Sequence, residues 1–341
     1  MIKQLPNLDA SSGINSSPHA VILGAGASVA CCLNGDANGL KLPVMNDLVS
    51  TLSLKKEIEA CGLNPRDNFE LLYSKIHEMG REETLLKIDQ SVRNFFGALQ
   101  LPDEVTIYDK LILGLRRKDI LVSFNWDPLL AQAYRRWRHL GNHLPQLVFL
   151  HGNVDVMVDD QNRASKFAFD ITEADAGFVP SKLLYPVEEK DYVSDAFIKS
   201  QWDLAEDLLN RSYLVTIIGY SAPKTDVKAK ELLLNAWSNN PTRTLAEFSI
   251  IDIADRDIIE GAWADFRADT HSSIFDNFAT DLVCKYPRRS CDAFAHATLQ
   301  QNPWTEDPFP DSISLAEIES WVAPLIEEEE SGKFSGVPHH R

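Results

Sequence analysis

The stretch His19-Ala20-Val21-Ile22-Leu23-Gly24-Ala25-Gly26-Ala27-Ser28 reads as a buried strand that stops at a glycine and hands the chain to a helix. An apolar run this short, closed by glycine, has the length of a strand rather than a helix. The same signature recurs further along the chain. Ile120-Leu121-Val122-Ser123-Phe124 is followed by Asn125-Trp126-Asp127, and Leu147-Val148-Phe149-Leu150 by His151-Gly152. Leu214–Ile218 is followed by Gly219-Tyr220-Ser221, and Phe248–Ile253 makes a fifth strand. Helical patterns lie between them: Pro128 to about Arg138, Asp195–Arg211, and Thr225 to Trp237. Pro128 suits a first-turn position, where its missing N–H costs little. Near-continuous apolar strands alternating with helices predict an α/β fold, a Rossmann-like, doubly wound parallel sheet with helices on both faces. Right-handed crossovers then bring the C-terminal strand ends to one rim, where such sheets bind ligands.

At 341 residues the chain is longer than one average domain. We expect a flexible N-terminus over 1–17 and a nucleotide-binding catalytic domain over 18–255 with a helical insertion at about 45–118. A C-terminal helical extension with an acidic tail is expected over 256–341. Within the insertion, Leu71, Leu72, Ile76 and Met79 are expected on one helix face, and Val92, Phe95, Phe96 and Leu99 on another. Residues 153–190, polar and irregular, read as a loop or small subdomain. Glu327–Glu330 reads as a solvated helix end, and Arg135, Arg136 and Arg138 around Trp137 as a solvated basic face.

Composition narrows the function classes. Thirty-three Lys and Arg against 50 Asp and Glu leave a net charge of −17. That argues against gripping nucleic acid, an affinity that comes from Lys and Arg. It is compatible with a small anionic ligand held by backbone N–H groups. No apolar run of membrane-spanning length occurs, so no membrane association is expected. The polar, Asn/Ser-rich start lacks the apolar centre of a signal peptide. Cys31, Cys32, Cys61, Cys284 and Cys291 form no C-x-x-C pair, so neither a disulfide framework nor a zinc ribbon is indicated. A reduced, cytoplasmic address is expected.

The strand ends carry the polar chemistry. Gly24 and Gly26 let the backbone turn tightly and approach a phosphate, with Ala25, Ala27 and Ser28 opening the helix that follows. Val29 stands where a G-x-G-x-x-G fingerprint has its third glycine, so a plain strand-to-helix turn is the alternative. His151, between a buried strand and a glycine, is placed to face the rim, and an imidazole's ordinary pKa near 6.5 suits a general base. Asn125 can orient a water or a ribose hydroxyl. Asp127 can accept from a carboxamide NH2 or cap the next helix. Ser221 and Gly219 stand beside the turn, with Asp226 as a cap or a ligand. Asp252, ending the last strand, is a candidate for an adenosine ribose.

Together, G-A-G-A-S at Gly24–Ser28, F-N-W-D at Phe124–Asp127, L-H-G at Leu150–Gly152 and G-Y-S-A-P-K-T-D at Gly219–Asp226 resemble the sirtuin-like family over roughly residues 18–255. The nearer resemblance is to the sirtuin-like domains of bacterial antiphage defence. Those share the G-Y-S-x-P-x-x-D turn, a preceding helix like Ile198-Lys199-Ser200-Gln201-Trp202 and a Tyr-Pro like Tyr185-Pro186. Deacylating sirtuins carry a four-cysteine zinc module after the catalytic histidine, whereas no cysteine lies between 61 and 284 here. Their S-G-I-P-D-F-R stretch also has only Leu42-Pro43 as a counterpart between Val29 and Met45.

The resemblance therefore implies NAD+ as a substrate, cleaved without an acyl-lysine acceptor and without a metal. It implies the pyrophosphate on Gly24–Ser28 with Gly219 and Ser221, the ribose and a water on Asn125, the nicotinamide carboxamide on Asp127, and His151 as base. It implies too a latent enzyme, released by homo-oligomer formation or a companion defence protein. The alternative is a sensor that binds NAD or ADP-ribose without turnover, with protein deacylation third.

Overall fold

Along the chain the first elements are β1 (His19–Leu23), α1 (Ala25–Cys31), α2 (Leu48–Thr51), α3 (Lys55–Ala60), α4 (Phe69–Glu78), α5 (Glu82–Gly97) and α6 (Ile107–Gly114). They are followed by β2 (Ile120–Ser123), α7 (Leu129–Trp137), β3 (Gln146–Phe149), β4 (Val156–Val158), β5 (Ser165–Phe167), β6 (Val179–Pro180) and α8 (Ala196–Arg211). The remainder is β7 (Leu214–Ile218), α9 (Val227–Ser238), β8 (Glu247–Ile251), α10 (Arg256–Ala262), α11 (Ala264–Arg267), β9 (His271–Phe275), α12 (Leu282–Lys285), α13 (Ser290–Leu299) and α14 (Leu315–Glu330). The computed structural model describes residues 16–43, 47–159, 161, 163–185, 192–221, 227–238, 245–267, 270–299 and 301–331. The expected N-terminal segment before residue 16 lies outside them, as does Met45.

β1 is buried along its whole length and sits inside the sheet, which a strand covered on both faces requires. The order is β3-β2-β1-β7-β8-β9, with every pairing parallel. Ala20 lies opposite Ile120 on one side and Val215 on the other. The expected strands thus stand where the apolar runs placed them. Residues 153–180 hold a small antiparallel sheet, β5-β4-β6, in the stretch expected to be a loop or subdomain.

Three expectations are corrected. The segment after 255 is not helical throughout: β9 adds a sixth strand, pairing with β8 so that Glu247 faces His271. The boundary expected at 255 therefore falls inside the sheet. α14 joins the same core through Ile318, Val322, Leu325 and Ile326. In α4 the buried face is Phe69, Leu72, Tyr73 and Ile76, the i, i+3, i+4, i+7 set, while Leu71 and Met79 are exposed. Trp137 is buried and donates to Asp109 at 2.7 Å, and Arg136 pairs with the same carboxylate at 2.9 Å, so only part of that basic face is solvated.

The insertion has a core of its own, in which α2–α5 close around Leu54, Ile58, Leu72, Ile76, Ile88 and Val92. Trp126 and Tyr185 join that core from the sheet side. α6, inside the expected insertion, packs instead into the main core through Tyr108, Leu111 and Ile112. One polar chain crosses the interior of the sheet. His19 bonds Ser290 and Thr216, each at 2.9 Å, and Thr216 and Ser249 both donate to Asp281 at 2.9 and 3.1 Å. Among the described residues no helix is long and apolar enough to cross a membrane.

Candidate functional site

Because the strands are parallel, all their C-terminal ends lie along one rim. The order β3-β2-β1-β7 sets His151, Asn125–Asp127, Gly24–Ser28 and Gly219–Ser221 side by side, in consecutive places. Four stretches separated by up to nearly 200 residues of sequence thus become neighbours.

The two glycine turns are in backbone contact. Gly24 donates to the Ile218 carbonyl at 3.0 Å and Gly26 to the Gly219 carbonyl at 2.9 Å. Gly219 donates to Ile251 at 2.9 Å and has φ +58°, the left-handed region that favours glycine. A Cβ on Gly219 would come within 2.5 Å of Ala27 N and Gly26 Cα. A Cβ on Gly24 would meet the Gly219 carbonyl oxygen at 2.5 Å. These glycines thus serve the contact between two turns, and the amides of Gly24, Gly26 and Ala27 are engaged by backbone carbonyls.

Beneath the turn is a buried polar cluster. Ser28 donates to Asp127 Oδ2 at 2.6 Å and bonds the Tyr108 hydroxyl at 2.7 Å. The Asn125 side-chain amide donates to the Gly24 carbonyl at 2.8 Å and to Ser28 Oγ at 2.9 Å. Asp127 Oδ1 accepts from the Leu129 N–H at 3.1 Å, so the helix-capping role expected for it is present. Burial raises the Asp127 carboxyl above its ordinary value, with the Ser28 bond opposing. Burial lifts the Tyr108 hydroxyl in the same way, and the Asp127 charge adds to it. Ser28 and Asp127 are therefore brought together, and they satisfy one another.

His151 follows β3 and is buried, its ring edge-on to Phe124 with centroids 4.8 Å apart. Phe124 in turn stacks on Tyr220 at 4.2 Å. Gly152 has φ +75°, and a Cβ there would overlap the Lys182 carbonyl, so the chain behind His151 is pressed against the small sheet. Ser221 is exposed at the rim. Asp252 follows β8, half-buried, and accepts from the Ala254 N–H at 2.9 Å. Pro186, Pro223 and Asp226 lie outside the described residues.

Two residues of the site escaped the sequence reading. Asn153 is fully buried, and its amide donates to the carbonyls of Asp127 at 2.6 Å and Asn125 at 3.3 Å. Its place two residues after His151 was the available signal. Tyr108 comes from α6, whose capping box at Thr106 and Asp109 was legible but whose contact with Ser28 was not. An aromatic column also ties the insertion to this loop. Tyr73 stacks on Tyr185 at 4.5 Å, Tyr185 lies 4.9 Å from Trp126, and the Tyr185 hydroxyl donates to Asp89 at 2.9 Å. Burial pushes the Tyr73 hydroxyl up to about 12.

Among the described residues no group of three or more His, Cys, Asp or Glu is placed to hold a metal ion. Cys31, Cys32, Cys284 and Cys291 are buried thiols, and Cys61 is half-buried.

No protein-family model matches the chain, and no curated protein matches it. Solved structures do. A Sir2 structure in complex with an inhibitor, 2'-O-acetyl-ADP-ribose and a deacetylated p53 peptide is 13% identical, over 83% of this chain and 94% of that one, with TM-score 0.39. A structure concerned with the mechanism and regulation of Sir2 enzymes is 12% identical, over 84% and 94%, with TM-score 0.40. A mutant Sir2 homologue with 2'-O-acetyl-ADP-ribose is 13% identical, over 80% and 91%, also at 0.40. These neighbours are Sir2 enzymes.

Proposed function

We propose that the chain is an NAD+ glycohydrolase, cutting the nicotinamide–ribose bond to give nicotinamide and ADP-ribose. The observation that carries this reading is that Asn125 and His151 follow the adjacent strands β2 and β3, with the glycine turn after β1 next in order. The C1'–N bond breaks and its electron pair leaves with nicotinamide. The oxocarbenium-like carbon is captured by water, whose proton passes to His151. Asn125 would align the ribose and that water. The pyrophosphate would lie along Gly24–Ser28 and Gly219–Ser221, with Asp252 toward the adenosine ribose. Asp127, which already accepts from Ser28 and the Leu129 N–H, would accept from the nicotinamide carboxamide as well. No metal enters these steps.

An enzyme of this kind removes an essential cofactor, which fits a latent, cytoplasmic effector of bacterial antiphage defence, released by self-association or a companion protein. The bond between Ser28 and Asp127, which occupies Asp127 inside the protein, favours a second reading, a sensor that binds NAD or ADP-ribose without turnover. Purified protein incubated with NAD+ and followed for nicotinamide release separates the two. His151→Ala is expected to lower turnover by about 10²–10⁴-fold, the usual worth of a general base. Asn125→Ala should also lose release. Release at the parental rate from folded His151→Ala refutes the assignment, and binding with no release in any oligomeric state favours the sensor.

A further inference from the structure

At the pole opposite the rim, where β2 and β3 begin, a cavity of about 270 Å³ opens between Arg116, Arg117, Lys118, Asn142, His143 and Arg288, with Glu329 reaching into it. Its floor is Arg288, only 1% exposed. Nη1 donates to the Leu113 and Leu115 carbonyls at 3.3 and 3.1 Å, and Nη2 to the His143 carbonyl at 3.1 Å. The outer edge of the guanidinium is covered by the Glu329 carboxylate, with Nε and Nη2 donating at 2.6 and 2.7 Å. That two-point fork accepts a phosphate as readily as a carboxylate. Arg117 is exposed and takes no part in the ion pairs around the cavity.

The glutamate block expected to be a solvated helix end is partly docked here, through Glu328 and Glu329, while Glu327 and Glu330 stay exposed. Glu328 pairs with Arg289, Glu329 with Arg288, and Glu330 with His143 at 3.1 Å. Without that helix end, four cationic side chains, Arg116, Arg117, Lys118 and Arg288, line the cavity against two carboxylates beside it, Asp292 paired with Arg116 and Asp119 paired with Lys118. In a chain of net charge −17 this is a local reversal of sign. The helix end is also intrinsically ill placed. Glu327–Glu330 fill the last turn of α14, where the macrodipole is already negative and acids destabilise. Its ion pairs hold it down against that tendency.

We propose that this cavity binds a phosphate-bearing anion, and that Glu329 is its built-in competitor. The anion takes the Arg288 edge, Arg116, Arg117 and Lys118 supply the surrounding charge, and the end of α14 is released. The site is separate from the rim, and the inference stands whether or not the rim cleaves NAD+.

The probe is inorganic pyrophosphate, titrated calorimetrically into the full chain with sodium chloride holding ionic strength constant. Hydrogen exchange is followed at the amides of residues 327–331. Saturable binding is expected, with faster exchange at those amides as the helix end leaves. Glu329→Gln should bind about fivefold more tightly and Arg117→Ala about fivefold more weakly, the scale of one partly exposed charge contact. Arg117 is exposed and makes no ion pair among the described residues around the cavity, so its variant keeps the test open if Glu329→Gln folds poorly. Absence of saturable binding, unchanged affinity in Arg117→Ala, or exchange at 327–331 that stays constant or slows overturns the proposal. Binding lost in Ser221→Ala but kept in Arg117→Ala places the pyrophosphate on the rim and overturns it equally.

Discussion

Replacing Gly219 by alanine probes the contact between the two turns directly. A Cβ at 219 falls 2.5 Å from Ala27 N, Gly26 C and Gly26 Cα, all backbone atoms that no rotamer change can move away, against an ordinary contact of 3.4–4 Å. The residue also sits at φ +58°, where an L side chain costs about 1–2 kcal/mol. Relieving the overlap requires the turn after β1 to shift, a distortion in the range of core overpacking, about 1–3 kcal/mol. The expected loss is about 2–5 kcal/mol, a large share of a stability of about 5–15 kcal/mol. Gly39→Ala is the control, since φ there is +79° but no heavy atom lies within 4 Å of the added carbon. Equilibrium urea unfolding of both variants reads the difference. Gly219→Ala should exceed Gly39→Ala by the packing share, about 1–3 kcal/mol. Equal losses would refute the close approach of the two turns, and with it the geometry assigned to the rim.

Asn153→Ala leaves the carbonyls of Asn125 and Asp127 without their buried donor. At about 1–3 kcal/mol per orphaned group, the expected loss for the two is about 2–6 kcal/mol in urea unfolding. A loss below about 1 kcal/mol would show that the loop is held some other way. Two buried groups should give opposite pH dependences. Burial holds His19 below its ordinary value, so protonation favours the unfolded chain and the His19 contribution is lost as pH falls through about 6.5. Burial raises Asp155 to about 6, so its contribution is present at low pH and is lost as pH rises through that value. Between about pH 7.5 and about pH 5.5, His19→Gln should flatten the fall in stability and Asp155→Asn should steepen it. Urea midpoints at the two pH values check this, and slopes that change the other way refute it.

The strands that carry the rim were legible because each is an apolar run closed by glycine or by a polar triplet, a pattern set by burial on both faces. β9 was not. His271-Ser272-Ser273-Ile274-Phe275 lies at the sheet edge, exposed or half-buried, where polar residues are tolerated and no apolar run marks the strand. Asn125, Asp127 and Ser28 were legible as polar residues at strand ends. Their bonding to one another was not, since it depends on a register between chain segments about 100 residues apart. The docking of Glu328 and Glu329 was hidden for the same reason: their partners Arg289 and Arg288 come from the turn between α12 and α13, 39 and 41 residues earlier.

The buried chain through His19 bears on how the protein is made. His19 opens β1, yet its partners lie 100, 197 and 271 positions downstream, at Asp119, Thr216 and Ser290. At a synthesis rate of roughly 5–20 residues per second, the interior strand of the sheet waits some tens of seconds for its last partner to leave the ribosome. Contacts of this range make folding slow. During that interval β1, apolar on both faces, is the segment most in need of cover, and the sheet is complete only after β9, which ends at Phe275, has been synthesised.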